Sequence, residues 1–149
     1  AEVSSAAFDL IILSETHLKT KHENNLLDIP GYKLFRKDRL GRRGGGVAIY
    51  ANKKLDCSTW NYFPPIICLD HLEVLWIKIT SKYNTFFICA VYHPPNPIYN
   101  PVNLLNYLEE TVIHIISQHP HANITIAGDF HIILLITLIL LNVQVSTQS

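Results

Sequence analysis

Residues 124–131, Ile-Thr-Ile-Ala-Gly-Asp-Phe-His, constrain the fold more than any other stretch of the chain. Ile124 and Ile126 alternate with Thr125 at the period of a strand, and Gly128 lets the backbone turn without a Cβ in the way. The strand ends on a carboxylate, Asp129. Open α/β architectures place ligands beyond such strand ends, although a turn aspartate is the plainer reading of these residues alone.

Two further strands end in residues suited to chemistry. Phe8 to Ser14 reads as a strand covered on both faces, because Leu10 to Leu13 form a continuous apolar run. Glu15 follows it, placed either to meet a hard cation, which needs oxygen ligands, or to start a loop. Leu72 to Thr80 and Thr85 to Tyr92 predict a hairpin around Ser81-Lys-Tyr-Asn84, both runs being rich in β-branched and aromatic residues. Glu73 and Lys78 fall on opposite faces of their strand. Tyr92-His-Pro-Pro-Asn-Pro97 ends the hairpin, since prolines cannot donate ladder hydrogen bonds.

Further strands are predicted at Tyr32 to Arg36, Val47 to Ala51 and Leu55 to Trp60. Thr20 and Glu23 have capping-box spacing for a short helical turn closed by Asp28-Ile-Pro-Gly31. Asn100 and Pro101 open a longer helix as cap and first residue. Its apolar stripe is Leu105, Leu108, Val112, Ile115 and Ile116, and it stops before His119-Pro120. His119 and His121 read as loop residues, having no other close metal ligand beside them.

Charge is informative only locally. Twelve basic and twelve acidic residues cancel, so net charge names no polyanionic partner. Yet Lys33, Arg36, Lys37, Arg39, Arg42 and Arg43 oppose a single acid, Asp38, around the glycine-rich stretch 37–46. Such a field suits phosphate contacts, and a solvated hairpin loop is the alternative. The glycines match no nucleotide-binding fingerprint, because Gly44 to Gly46 are consecutive and precede a strand. Cys57, Cys68 and Cys89 are odd in number without a paired spacing, which predicts reduced thiols and an intracellular, nuclear or cytoplasmic protein. Ile132 to Leu141 is apolar except for Thr137, yet shorter than the about 20 residues of a membrane helix, so no membrane role is expected.

Taken together, Leu-Ser-Glu-Thr-His-Leu at 13–18, Pro-Gly-Tyr at 30–32, Arg-Arg-Gly-Gly-Gly-Val-Ala-Ile-Tyr at 42–50, Val-Tyr-His-Pro-Pro-Asn at 91–96 and Ile-Ala-Gly-Asp-Phe at 126–130 resemble the endonuclease/exonuclease/phosphatase superfamily. More narrowly, they resemble the apurinic-type endonuclease domain of non-long-terminal-repeat retrotransposons. The resemblance implies a partial two-sheet α/β sandwich of the DNase-I-like type over residues 1–131, with 132–149 an unrelated hydrophobic, then polar, tail. It implies magnesium-dependent phosphodiester hydrolysis on DNA, with Glu15 as metal ligand, Tyr92 at the scissile phosphate and Asp129 orienting the attacking water. His131 stands where the family has an asparagine, and can hydrogen-bond phosphate without reproducing the amide's paired donor and acceptor. Arg36, Lys37, Arg39, Arg42 and Arg43 would touch the nucleic-acid backbone.

The family also has a strand before the one at Phe8 and a second catalytic half, which nothing after residue 131 resembles. Little or no nuclease activity is therefore expected of a domain descended from a retrotransposon endonuclease, and an ancestral fusion to a reverse transcriptase is left open by the sequence. The alternative is a non-catalytic nucleic-acid-binding fragment using the basic loop 33–43. A half sandwich would also leave unpaired strand edges. If the assignment is right, Glu15, Tyr92 and Asp129 converge on one rim.

Overall fold

The computed structural model describes residues 8–65, 69–131 and 143–147, the last of these as backbone. Among the described residues, eight strands and one α-helix run in the order β1 (Leu10–Ser14), β2 (Tyr32–Lys37), β3 (Val47–Asn52), β4 (Asp56–Trp60), β5 (Glu73–Thr80), β6 (Thr85–Tyr92), α1 (Pro101–Gln118), β7 (Asn123–Asp129) and β8 (Val143–Thr147). A single 3-10 turn spans Asn24–Leu27. The first three strands form an antiparallel sheet in the order β1-β3-β2, and the rest a mixed sheet in the order β4-β5-β6-β7-β8. Antiparallel pairing runs from β4 to β6. The parallel step from β6 to β7 is made through α1, the crossover that parallel neighbours require.

The pleat of the second sheet divides its side chains between two cores. Val74, Trp76, Phe87, Cys89, Val91, Ile124 and Ile126 pack beneath α1. Leu75, Ile77, Ile79, Ile88, Ala90 and Tyr92 point the other way, against Phe35, Val47, Ile49 and Ala51 of the first sheet. The architecture is the partial two-sheet α/β sandwich expected from the sequence, with its helix on the outer face.

Several local expectations shift. The strand buried throughout is β3, whereas β1 lies at the sheet's edge and leaves Leu13 exposed, so its apolar run is covered on one face only. The stripe of α1 is Leu104, Tyr107, Leu108, Thr111, Val112 and Ile115, with Leu105 and Ile116 at its margins. It is rotated because Tyr107 and Thr111 are buried as well: the Thr111 hydroxyl donates to the Tyr107 carbonyl at 2.6 Å. The Asn100 cap forms as expected, its side chain accepting from Val102 N. No Thr20–Glu23 capping box forms; the Lys19 amide instead donates to His22 Nδ1 at 2.9 Å.

The segment set apart as a tail contributes β8, which pairs in parallel with β7. β7 is thus paired on both sides. The apolar run 132–141 itself, like Cys68, lies outside the described residues. Cys57 and Cys89 are free thiols, and burial pushes both up in pKa. No helix among the described residues is long and apolar enough to cross a membrane.

Candidate active site at the sheet rim

Strand register builds the site. Glu73 is opposite Tyr92 across β5 and β6, and Tyr92 is opposite Asp129 across β6 and β7. Glu73 and Tyr92 lie on the alternation that faces the first sheet, and Asp129 lies opposite to Ile124 and Ile126, which face the helix. The three residues therefore form one row on one face at one end of the sheet. β1 ends beside that row, and Glu15 comes near enough to Tyr92 to act on its phenol. Glu15, Tyr92 and Asp129 do share a rim.

Glu73 was legible in the sequence only as a strand residue facing away from Lys78, yet it anchors the row. It is buried, with Oε2 accepting from Arg39 Nε at 3.1 Å and Nη2 at 2.6 Å, and Oε1 accepting from the Gly46 amide at 2.6 Å. The glycine triplet makes this possible. Gly45 adopts φ +67°, and a Cβ there would run into Arg39 Nε and Glu73 Oε1. A carboxylate leading an otherwise apolar strand was the available signal, since burial of a charge requires a partner.

This fixes what the basic cluster can do. Arg39 is committed to Glu73, and that hydrogen bond raises its pKa further. Its guanidinium also lies 5.6 Å from the Tyr92 ring centroid, within cation–π range. Arg36 Nη2 donates to the carbonyls of His22 at 2.6 Å and Lys19 at 3.3 Å, and pairs with Asp38 at 3.4 Å. Lys37 is half-buried, and desolvation outweighs the pull of Glu73 to lower its pKa. Of the five residues expected on a nucleic-acid backbone, Arg36, Lys37 and Arg39 thus face inward. Arg42 and Arg43 are exposed, with no side-chain hydrogen bond or ion pair among the described residues.

At the other end of the row, His131 folds back over Asp129. Its Nε2 lies 3.0 Å from Asp129 Oδ2, and its backbone amide donates to Oδ1 at 3.2 Å. The turn needs φ 43° at His131. Glu15 and His17 are the other two non-glycine residues with positive φ among the described ones, at 55° and 58°. All three lie at or beside this rim, and residues held in sparsely populated backbone regions tend to mark functional sites. Gly128, just before Asp129, has φ +150°, and a Cβ there would run into the Val91 carbonyl.

Beneath the row is His93, read from sequence only as part of a strand terminator. It is buried, its amide donates to the Asp129 carbonyl at 2.8 Å, and its Nδ1 lies 2.7 Å from the Tyr99 hydroxyl. Burial, then the nearby His131, lowers its pKa. Burial first and Glu15 second raise that of Tyr92, with Arg39 opposing. Tyr99 is pushed up to about 12, chiefly by burial. All three are neutral near neutrality.

Glu15 is the half-exposed carboxylate of the rim, 3.5 Å from His17. Among the described residues no group of three or more His, Cys, Asp or Glu side chains is arranged for a metal ion. A single accessible carboxylate still fits magnesium, which is held by one or two carboxylates and completes its shell with water and phosphate oxygens.

Solved structures share the fold. C. elegans TDP2 superposes with a TM-score of 0.60 at 16% identity, over 83% of this chain and 38% of that one. ANGEL2, a 2',3'-cyclic phosphatase, gives 0.57 at 22% identity over 83% and 39%. D. rerio TDP2 complexed with a single-strand DNA product gives 0.52 at 18% identity over 83% and 48%. The fold is that of the endonuclease/exonuclease/phosphatase superfamily. The chain spans at most about half the length of these superfamily structures. No protein-family model matches its sequence, and no curated protein does.

Proposed function

We propose that the rim is a metal-assisted phosphodiester hydrolase site of low turnover that acts on DNA. The observation that carries the reading is the in-register row Glu73–Tyr92–Asp129 with Glu15 at its side. It gathers one accessible carboxylate, one neutral phenol and one imidazole-backed carboxylate on a single face. Glu15 would hold magnesium, which supplies charge neutralisation on phosphate oxygens when bound. Tyr92, kept protonated by burial and by Glu15, can donate a hydrogen bond to a phosphate oxygen. Asp129, with His131 against it, would orient the attacking water. Arg39 and Glu73 hold the loop and strand end in place through three hydrogen bonds to the carboxylate.

The superfamily fold supports phosphoester chemistry as a class, and the DNA product bound to D. rerio TDP2 supports the choice of nucleic acid. The narrower assignment, an endonuclease domain of retrotransposon origin, rests on the sequence motifs, and a nuclear or cytoplasmic location on the unpaired cysteines. Low turnover follows from His131 in place of an amide and from carboxylates already paired within the chain.

Nicking of supercoiled plasmid with magnesium tests the reading. We expect slow nicking abolished by EDTA and by Asp129→Ala. A second reading, binding without cleavage, draws on the exposure of Arg42 and Arg43. Folded protein that binds DNA in a salt-dependent, magnesium-independent way without nicking would establish it instead.

A further inference from the structure

We propose that Leu40 is a wedge for duplex DNA: the stapled tip of the β2–β3 loop sets this side chain between stacked bases while Arg42 and Arg43 meet the phosphates beside it. The rim then favours duplexes with an easily opened base step. The proposal rests on the DNA reading of the rim for its partner and on the hydrogen bonds of the loop for its geometry.

Leu40 is 73% exposed on a loop that is not free to cover it. The residues flanking the Leu40-Gly41 tip are tied to one ammonium, because Lys19 Nζ donates to the Arg39 carbonyl at 3.3 Å and to the Arg42 carbonyl as well. Arg39 Nη1 donates to the Arg43 carbonyl at 3.1 Å, and its Nη2 is anchored on Glu73. Gly41 stands in open space: a Cβ there would meet nothing within 4 Å among the described residues. An apolar side chain on a free loop can turn inward and be covered. Here the backbone is held on both sides of it, so its burial is left to a partner, and binding orders little that is not already ordered. Other large apolar side chains are exposed in a different setting. Tyr83, for one, lies on the β5–β6 hairpin, at the opposite end of β5 from Glu73.

The neighbours of Leu40 identify the partner. Arg42 and Arg43 follow it in sequence and are exposed. One apolar side chain beside guanidinium groups matches a surface that is anionic outside and apolar within. A DNA duplex is such a surface, and so is an anionic membrane. DNA is favoured because Arg39 ties the loop to Glu73, which lies opposite Tyr92 across the sheet. Whatever the tip grips is therefore held at the rim. Apolar side chains that enter between base steps unstack and kink the duplex. The cost is least at flexible pyrimidine–purine steps such as TA and greater in stiff A-tracts. A fixed wedge thus selects sequence through deformability, without reading base edges.

Fluorescence of 2-aminopurine, which is quenched within the base stack, tests the wedge in two short duplexes, one of TA steps and one an A-tract. At saturation with wild-type protein we expect emission to rise about threefold in the TA duplex and little in the A-tract, and the TA duplex to bind about tenfold more tightly. Leu40→Ala should abolish the rise and bring the two affinities together, whereas Leu40→Met, still apolar and long, should keep both. The slope of log affinity against log salt should stay that of the wild type in Leu40→Ala, because no charge is removed. Both variants should melt with the wild type, since the side chain is exposed. Binding without a rise in emission, or a rise that persists in Leu40→Ala, would overturn the wedge and leave plasmid nicking to judge the hydrolase reading. A Leu40-dependent rise from a protein that does not nick would uphold the wedge and count against that reading. No binding to either duplex would overturn both. Binding to vesicles of phosphatidylserine and phosphatidylcholine that is lost in Leu40→Ala, with neither duplex responding, would overturn the wedge in favour of a membrane surface.

Discussion

At the scale of single residues, the rim is held by groups whose partners are far away in sequence. Glu73 illustrates the consequence: truncating it removes both the counter-ion of Arg39 and the acceptor of the Gly46 amide. Breaking a buried pair by deleting one partner leaves an uncompensated charge, so Glu73→Ala should cost about 3 kcal/mol in urea unfolding. A loss of a few tenths would mean the pair is not buried in solution. His93 gives a pH signature. The unfolded chain protonates it near the ordinary pKa of about 6.5, whereas the folded value is lowered by burial. Its stabilising contribution is complete above about pH 6.5 and is lost as pH falls toward the folded value. The urea midpoint should therefore drop on acidification through that window, and His93→Gln should flatten the drop. Asp129, Tyr92 and Glu15 were legible because each ends or follows an apolar run. Glu73 and His93 were not, because what defines them is the register that brings them alongside other strands.

Elements tell the same story through periodicity. Strands β1 to β7 were legible almost to their ends, since alternation and proline punctuation act locally, and β6 begins and ends where its β-branched and aromatic run does; β8 was not, because it falls in the segment read as a tail. Helix α1 was placed correctly between its Asn100 cap and His119-Pro120, but its stripe was rotated. The reason is physical: Tyr107 and Thr111 are buried through their own hydrogen bonding and shape, which a count of aliphatic residues passes over. The rotation makes a discriminating test. Ile115 is wholly buried and Ile113 is exposed, so Ile115→Ala should cost about 3 kcal/mol by leaving a cavity, whereas Ile113→Ala should change the urea midpoint little. Equal effects would show that the helix packs by another face.

The whole molecule explains why a neutral chain can still present a locally positive edge. Strand order could not be read from the sequence, and neither could the packing of the β2–β3 connection onto β5. That packing runs through Arg39 and Glu73, so the loop is stapled beside the Tyr92–Asp129 row. Lys19 reinforces it, donating from Nζ to the Arg39 and Arg42 carbonyls. Arg36 and Arg39 are therefore engaged within the chain, Lys37 is partly buried, and Arg42 and Arg43 are the exposed guanidinium groups of the loop. The two uses separate in experiment. Each phosphate that the protein no longer neutralises should lower the slope of log affinity against log salt by about 1. Arg42→Ala with Arg43→Ala should therefore weaken DNA binding and flatten that slope by about 2 while leaving the melting temperature alone. Arg39→Ala should instead lower the melting temperature, because it strands Glu73. An unchanged salt slope in the double variant, measured by fluorescence anisotropy on a protein with wild-type melting, would show that DNA does not approach across this loop.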